Sequence, residues 1–133
     1  MPPPISRFRA ETNGTAVTAN ALVDTDVFID HLRGARHLTS GRDRLHYSVI
    51  TRCELFAGRA TEEAAVRRLL GPFRELGISR SVAEKAGQLR RDLGLTMPDA
   101  LIAATALEHR LVLRTRNLRD FARVADLQVH SPA

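Results

Sequence analysis

Ala21-Leu22-Val23 is an apolar run too short for a helix, and it stops abruptly at Asp24-Thr25-Asp26. The pattern predicts a buried strand over about 20–24, then a helix capped by Thr25 or Asp26, running to about Arg33 and ended by Gly34. Residues 35–44 are basic and irregular, with room for one short helix. Leu45 to Val49 reads as a second strand. Ser48 or Thr51 opens a helix to Ala57, ended by Gly58. Thr61, Glu62 and Glu63 open another, with an apolar stripe of Ala65, Val66, Leu69 and Leu70 and a stop at Gly71-Pro72.

Phe73 to Ile78 is predicted as a third strand. Ser79 or Ser81 then starts a helix with Val82, Ala86, Leu89 and Leu93 on one face, closed by Gly94. Thr96-Met97-Pro98-Asp99 begins a helix through Glu108, with proline in the first turn, where its missing N–H does no harm. Leu111 to Leu113 is a fourth strand, Asn117 to Val124 a short helix, and Leu127 to Val129 an edge strand. Strands alternating with helices predict an α/β fold: a mostly parallel sheet of four to five strands with helices on both faces. Residues 1–20, with Pro2-Pro3-Pro4 and a polar turn-like stretch, read as a mobile extension ahead of a domain at 21–133.

A chain of 133 residues with 44% hydrophobic and 26% charged positions has enough apolar content for one core. No apolar run reaches the ~20 residues of a membrane span. With no apolar secretion signal at the N-terminus, the expected location is cytoplasmic. The single Cys53, spaced helically with Ile50, Phe56 and Ala57, reads as a buried small hydrophobe. Net charge is +5, and Lys85 is the only lysine. Arginine offers a planar fork of donors that suits phosphate, so nucleic acid is a natural partner class. Genome composition can also produce an arginine bias.

Three acids change the picture. Asp24 ends an apolar strand. Glu54 shares a helical face with Ile50, Cys53 and Ala57, and Asp99 shares one with Ile102, Ala103 and Ala106. Each is therefore expected on the core side of its element. Plainer roles are open to all three: Asp24 as a helix cap, Glu54 as a partner of Arg52, Asp99 as one half of a capping box with Thr96. One shared pocket would explain them together. Clustered carboxylates repel and raise each other's pKa values, and a hard divalent cation such as Mg²⁺ relieves that repulsion. A metal-bound water can attack phosphorus, so acids within a basic chain suggest a metal-dependent nuclease. Thr115 and Asn117, after the fourth strand, are candidates to hold a metal-bound water or a phosphate. Arg116 and Arg119 are placed to meet a phosphate backbone, and Asp120 reads as a helix surface residue or a peripheral acid of the site.

Four segments carry a resemblance. They are Leu22-Val23-Asp24-Thr25-Asp26-Val27-Phe28-Ile29-Asp30, Ser48 to Gly58, Met97-Pro98-Asp99 to Ala106, and Thr115-Arg116-Asn117-Leu118-Arg119-Asp120-Phe121. In this order and spacing the chain resembles the PIN-domain ribonucleases, specifically the VapC-type toxins of toxin–antitoxin pairs. The resemblance covers about residues 21 to 130. It implies a three-layer sandwich, Mg²⁺ or Mn²⁺ at the acidic pocket, and single-strand-type cleavage of RNA. It also implies a small antitoxin that fills the site, and a homodimer. Asp24, Glu54 and Asp99 match the family's three acids, with Thr25, Thr115, Arg116 and Arg119 set toward RNA. A fourth acid is common near the start of the last segment; here Asn117 holds that place, with Asp120 further on. Asp26 stands where serine or asparagine is usual, and Arg114 where a small apolar residue is usual.

Two other readings compete. Asp24-Thr25-Asp26-Val27 also fits the opening motif of haloacid-dehalogenase-like phosphohydrolases, which need a later lysine and an acidic pair that this chain does not supply in the expected form. A non-catalytic RNA-binding module of the same fold would have no need of acids on apolar faces.

Overall fold

The structure is a computed structural model that describes residues 20–38, 44–58 and 62–132. The expected extension before Asn20, the short helix within 39–43 and the opening role of Thr61 lie outside the described residues.

The elements follow in the order β1 (Asn20–Val23), α1 (Thr25–Leu32), β2 (Arg44–Ser48), α2 (Val49–Phe56), α3 (Glu63–Leu70) and β3 (Arg74–Leu76). Then come α4 (Arg80–Leu93), α5 (Met97–His109), β4 (Val112–Arg114), α6 (Leu118–Phe121) and β5 (Val129–His130). The five strands form one sheet in the order β3-β2-β1-β4-β5, and every pairing is parallel. After β1 the chain builds outward on one side through β2 and β3, then returns to place β4 on the other. The switch point therefore lies between the carboxyl ends of β1 and β4, the usual place for a ligand crevice in such sheets.

The alternating pleat of β1 feeds two cores. Leu22 packs with Val82, Ala86, Leu89 and the small residues of α5 on one face, while Ala21 and Val23 pack with Phe28, Tyr47, Leu55 and Leu70 on the other. This is the expected three-layer arrangement. α5 is apolar nearly all round because it lies deep: Ala100, Ile102, Ala103, Ala104, Thr105 and Ala106 are all buried.

Several boundaries differ from the sequence reading. Asp24, not Thr25 or Asp26, caps α1: its side chain accepts from the Thr25 N–H at 2.8 Å. Other ends agree with that reading: Ser48, Ser79 and Thr96 cap α2, α4 and α5, and Gly94 closes α4 in the left-handed region at φ 71°. β4 is shifted by one residue to include Arg114. That side chain is buried and donates to the Pro132 carbonyl at 2.6 Å, so it fastens the segment after β5.

Cys53 is exposed, which overturns its reading as a core residue. The cause is the phase of α2. Its buried side is Thr51 and Leu55, and Cys53 is two residues from each, about 200° around the helix. Glu54 accordingly sits at the margin of the buried side and not at its centre. Arg52 does not pair with Glu54; it donates to Glu75 at 2.5 Å and to the Tyr47 hydroxyl at 2.9 Å.

Candidate active site

β1 ends at the switch point, and Asp24 follows it directly. Its N–H donates to the Arg114 carbonyl at 2.9 Å, which carries the sheet pairing one step past β1. The carboxylate is only 5% exposed. Oδ1 takes the Thr25 N–H, and Oδ2 accepts from the Thr115 hydroxyl at 2.7 Å. Burial pushes its pKa up from 3.8 to about 7, with help from the charges of Asp26 and Asp99, and against the two hydrogen bonds.

Asp99, in the first turn of α5, is half-buried. Thr96 Oγ1 accepts from its N–H at 3.3 Å, so the capping geometry is present. Its carboxyl is nevertheless raised, first by burial and next by the charge of Glu54, then by Asp120 and Asp26. Capping and membership of an acidic cluster coexist here. Glu54 reaches the cluster from α2 through a chain of hydroxyls: Thr25 Oγ1 donates to Glu54 Oε1 at 2.7 Å and lies 2.9 Å from Thr51 Oγ1. A hydroxyl has one proton, so Thr51 donates to Thr25 and Thr25 to Glu54.

Asp26 and Asp30 stand at i and i+4 on α1, a repulsive pair on its own. Arg116 answers both, with Nε 3.2 Å from Asp30 Oδ2 and 3.8 Å from Asp26 Oδ2. Its N–H also reaches Asp26 at 3.2 Å. Burial still dominates at Asp26, whose carboxyl is raised against the pull of Arg116.

The loop after β4 completes the site. Thr115 is fully buried; its hydroxyl donates to Asp24, lies 3.3 Å from Asp26 Oδ2 and accepts from the Asn117 N–H at 2.9 Å. Asn117 caps α6: its Oδ1 takes the Asp120 N–H at 3.4 Å, and its Nδ2 donates to Asp120 Oδ2 at 3.1 Å. Asp120 is therefore not an idle surface acid; it is half-buried, fixed by Asn117, and its charge is felt at Asp99.

Asp99 thus lies within electrostatic reach of Asp24, Glu54, Asp26 and Asp120, and Asp24 within reach of Asp26 and Asp99. Thr25 and Thr115, read from sequence as contacts for RNA, are buried, and their hydroxyls are engaged by carboxylates. Arg119 is exposed, and among the described residues it has no acidic partner. Sequence reasoning missed Thr51 and Asp30. The available signals were a threonine three residues before Glu54 and an acid one helical turn after Asp26.

The carboxylate and hydroxyl oxygens gathered here are of the kind that suits a hard divalent cation. Among the described residues, no three acidic, histidine or cysteine side chains are already gathered closely enough to grip an ion. The fit rests on donor chemistry and on shared charge.

Comparison with known proteins agrees with this geometry. Residues 21–127 match the PIN domain family. A protein named Ribonuclease VapC10 from Mycobacterium tuberculosis is 40% identical, over 75% of this chain and 84% of its own length. Ribonuclease VapC19 from the same organism is 32% identical, over 80% of this chain and 96% of its own length. A chain in a toxin–antitoxin complex from Klebsiella pneumoniae superposes with a TM-score of 0.71 at 36% identity, covering 85% of this chain and 98% of that one. On this match along most of its length, the chain belongs to the PIN-domain family, among its VapC-type members.

Proposed function

We propose that the protein is a divalent-cation-dependent endoribonuclease and the toxin of a toxin–antitoxin pair. One observation supports the reading: carboxylates from four elements converge on the switch point of the sheet, where Asp24, Asp26 and Asp99 have raised pKa values and Asp99 feels the charges of Glu54 and Asp120. Ionised without a cation, such a cluster opposes folding near neutral pH, and a bound divalent ion would relieve that repulsion. Asp24, Glu54 and Asp99 would hold Mg²⁺ or Mn²⁺, with Asp120 as the fourth acid in place of Asn117. A bound cation would activate water and neutralise charge on the phosphate. The chain's own residues prepare the site. Thr115 fixes Asp24, the Thr51–Thr25 pair fixes Glu54, Asn117 fixes Asp120, and Arg116 steadies Asp26.

The names of the relatives support RNA as substrate and a small antitoxin as partner. A homodimer is what the resemblance implies. Among the described residues no helix is long and apolar enough to cross a membrane.

The test is cleavage of single-stranded RNA by the purified chain. Activity should appear with Mg²⁺ or Mn²⁺, vanish with chelator, and vanish in a folded Asp24→Asn variant. Turnover of a phosphate monoester without RNA cleavage would favour the phosphohydrolase reading.

A further inference from the structure

The acids occupy the carboxyl ends of the strands. A second polar feature lies at the opposite end, where β1, β2 and β3 begin. In register, Asn20 stands beside Arg44, and His46 beside Arg74. Leu45 and Tyr47 point into the core under α1–α3, so the alternating residues Arg44 and His46, with their neighbours Asn20 and Arg74, share the other face. α4 and α5 cover that face over Leu22 and Leu113. At the starting ends of these strands lies a cleft of about 570 Å³, lined by Asn20, Arg44, His46 and Arg74 together with the apolar Leu45, Pro72 and Phe73.

Among the described residues no acid lines this cleft. Among the described residues neither Arg44 nor Arg74 has a carboxylate partner. Glu75 faces the other side, beside Tyr47, and is paired with Arg52. Burial pushes the pKa of half-buried His46 down, so the positive charge of the cleft is that of Arg44 and Arg74. A lone exposed arginine needs no explanation, since water solvates it. Two arginines with no carboxylate partner among the described residues, with a histidine and an amide around one concavity, complement an oxyanion, which the guanidinium fork binds through paired N–H donors.

We propose that this cleft is a second phosphate-binding site, which takes a backbone phosphate of the RNA substrate away from the bond being cut. The proposal rests on the ribonuclease reading. β1 has four residues, so the cleft and the acids are separated by on the order of 13 Å of strand. A very short oligonucleotide cannot engage both; a long or folded RNA can. The cleft therefore contributes to affinity for long RNA and not to chemistry at the acids.

The test uses Arg44→Gln/Arg74→Gln in the full chain. Both side chains are exposed, so the melting temperature should stay the same. Binding of a long structured RNA should lose salt dependence, the log–log slope shrinking by about 1 to 2, at roughly 0.7–0.9 per phosphate contact. Cleavage of a tetranucleotide should stay within about twofold of the parent. An unchanged slope for long RNA overturns the proposal. So does a loss confined to inorganic phosphate or a nucleoside monophosphate, because the cleft would then serve small anions. Failure of the ribonuclease reading would show separately, as absence of tetranucleotide cleavage by the parent.

Discussion

The Thr115 hydroxyl donates to Asp24 Oδ2 at 2.7 Å and so ties the end of β4 to the end of β1 across the switch point. Both groups are buried, and the bond holds the Asp24 pKa below where burial alone would put it. Thr115→Val should leave that oxygen without a donor and destabilise the fold by about 1–3 kcal/mol. The acidic limb of the pH–activity profile should move to higher pH, with activity about 10- to 100-fold lower at neutrality. Thr115→Ser should restore both. A Val variant with the parent's profile would show that the bond does not tune Asp24.

Arg116 and Arg119 should separate in their effects. Arg119→Ala should shrink the salt slope of RNA binding by about 0.7–0.9 with no change in melting. Arg116→Ala also removes the guanidinium between Asp26 and Asp30. It should lower stability modestly, by about 1 kcal/mol or less, because the arginine is half exposed and screened. Urea melts alongside binding isotherms test this; equal melts for the two variants would contradict the bridging role of Arg116.

Metal-free stability should depend on pH in an unusual direction. Asp24 rises from 3.8 to about 7 on folding, and Asp26 and Asp99 shift the same way. Raised carboxylates mean that the folded state holds more protons than the unfolded one, so their contribution is greatest below pH 4 and is lost as pH rises toward 7. Urea denaturation in chelator from pH 5 to 8 should show stability falling by on the order of a few kcal/mol, then levelling. Stability rising over that range would contradict the mutual repulsion of the acids.

Much of this architecture was legible because strand and helix periods are local properties of the chain. The β1 run, the serine and threonine caps and Gly94 all follow from a few neighbouring residues. The phase of α2 was not legible. Thr51 is polar yet buried, and Cys53 is apolar yet exposed, so hydrophobicity pointed to the wrong side and placed Glu54 by a mistaken face. The bond from Asn117 to Asp120 was hidden for another reason. It depends on α6 starting at Leu118, which makes Asn117 the cap and turns Asp120 toward Asp99. Pairings across the sheet, such as Arg116 with Asp30, join residues 86 positions apart and leave no local trace.

The central claim is that the acids form one cluster that a divalent cation completes, and Asp99→Asn tests it with little change in shape. Thermal melts of parent and variant at neutral pH, in chelator and in Mg²⁺, give the answer. Removing one charge relieves repulsion, so the variant should melt higher than the parent in chelator. Cation binding to the assembled pocket stabilises by mass action, and the variant should gain less from it. A variant that melts lower in chelator and responds to Mg²⁺ as the parent does would make Asp99 a helix cap alone and contradict the account.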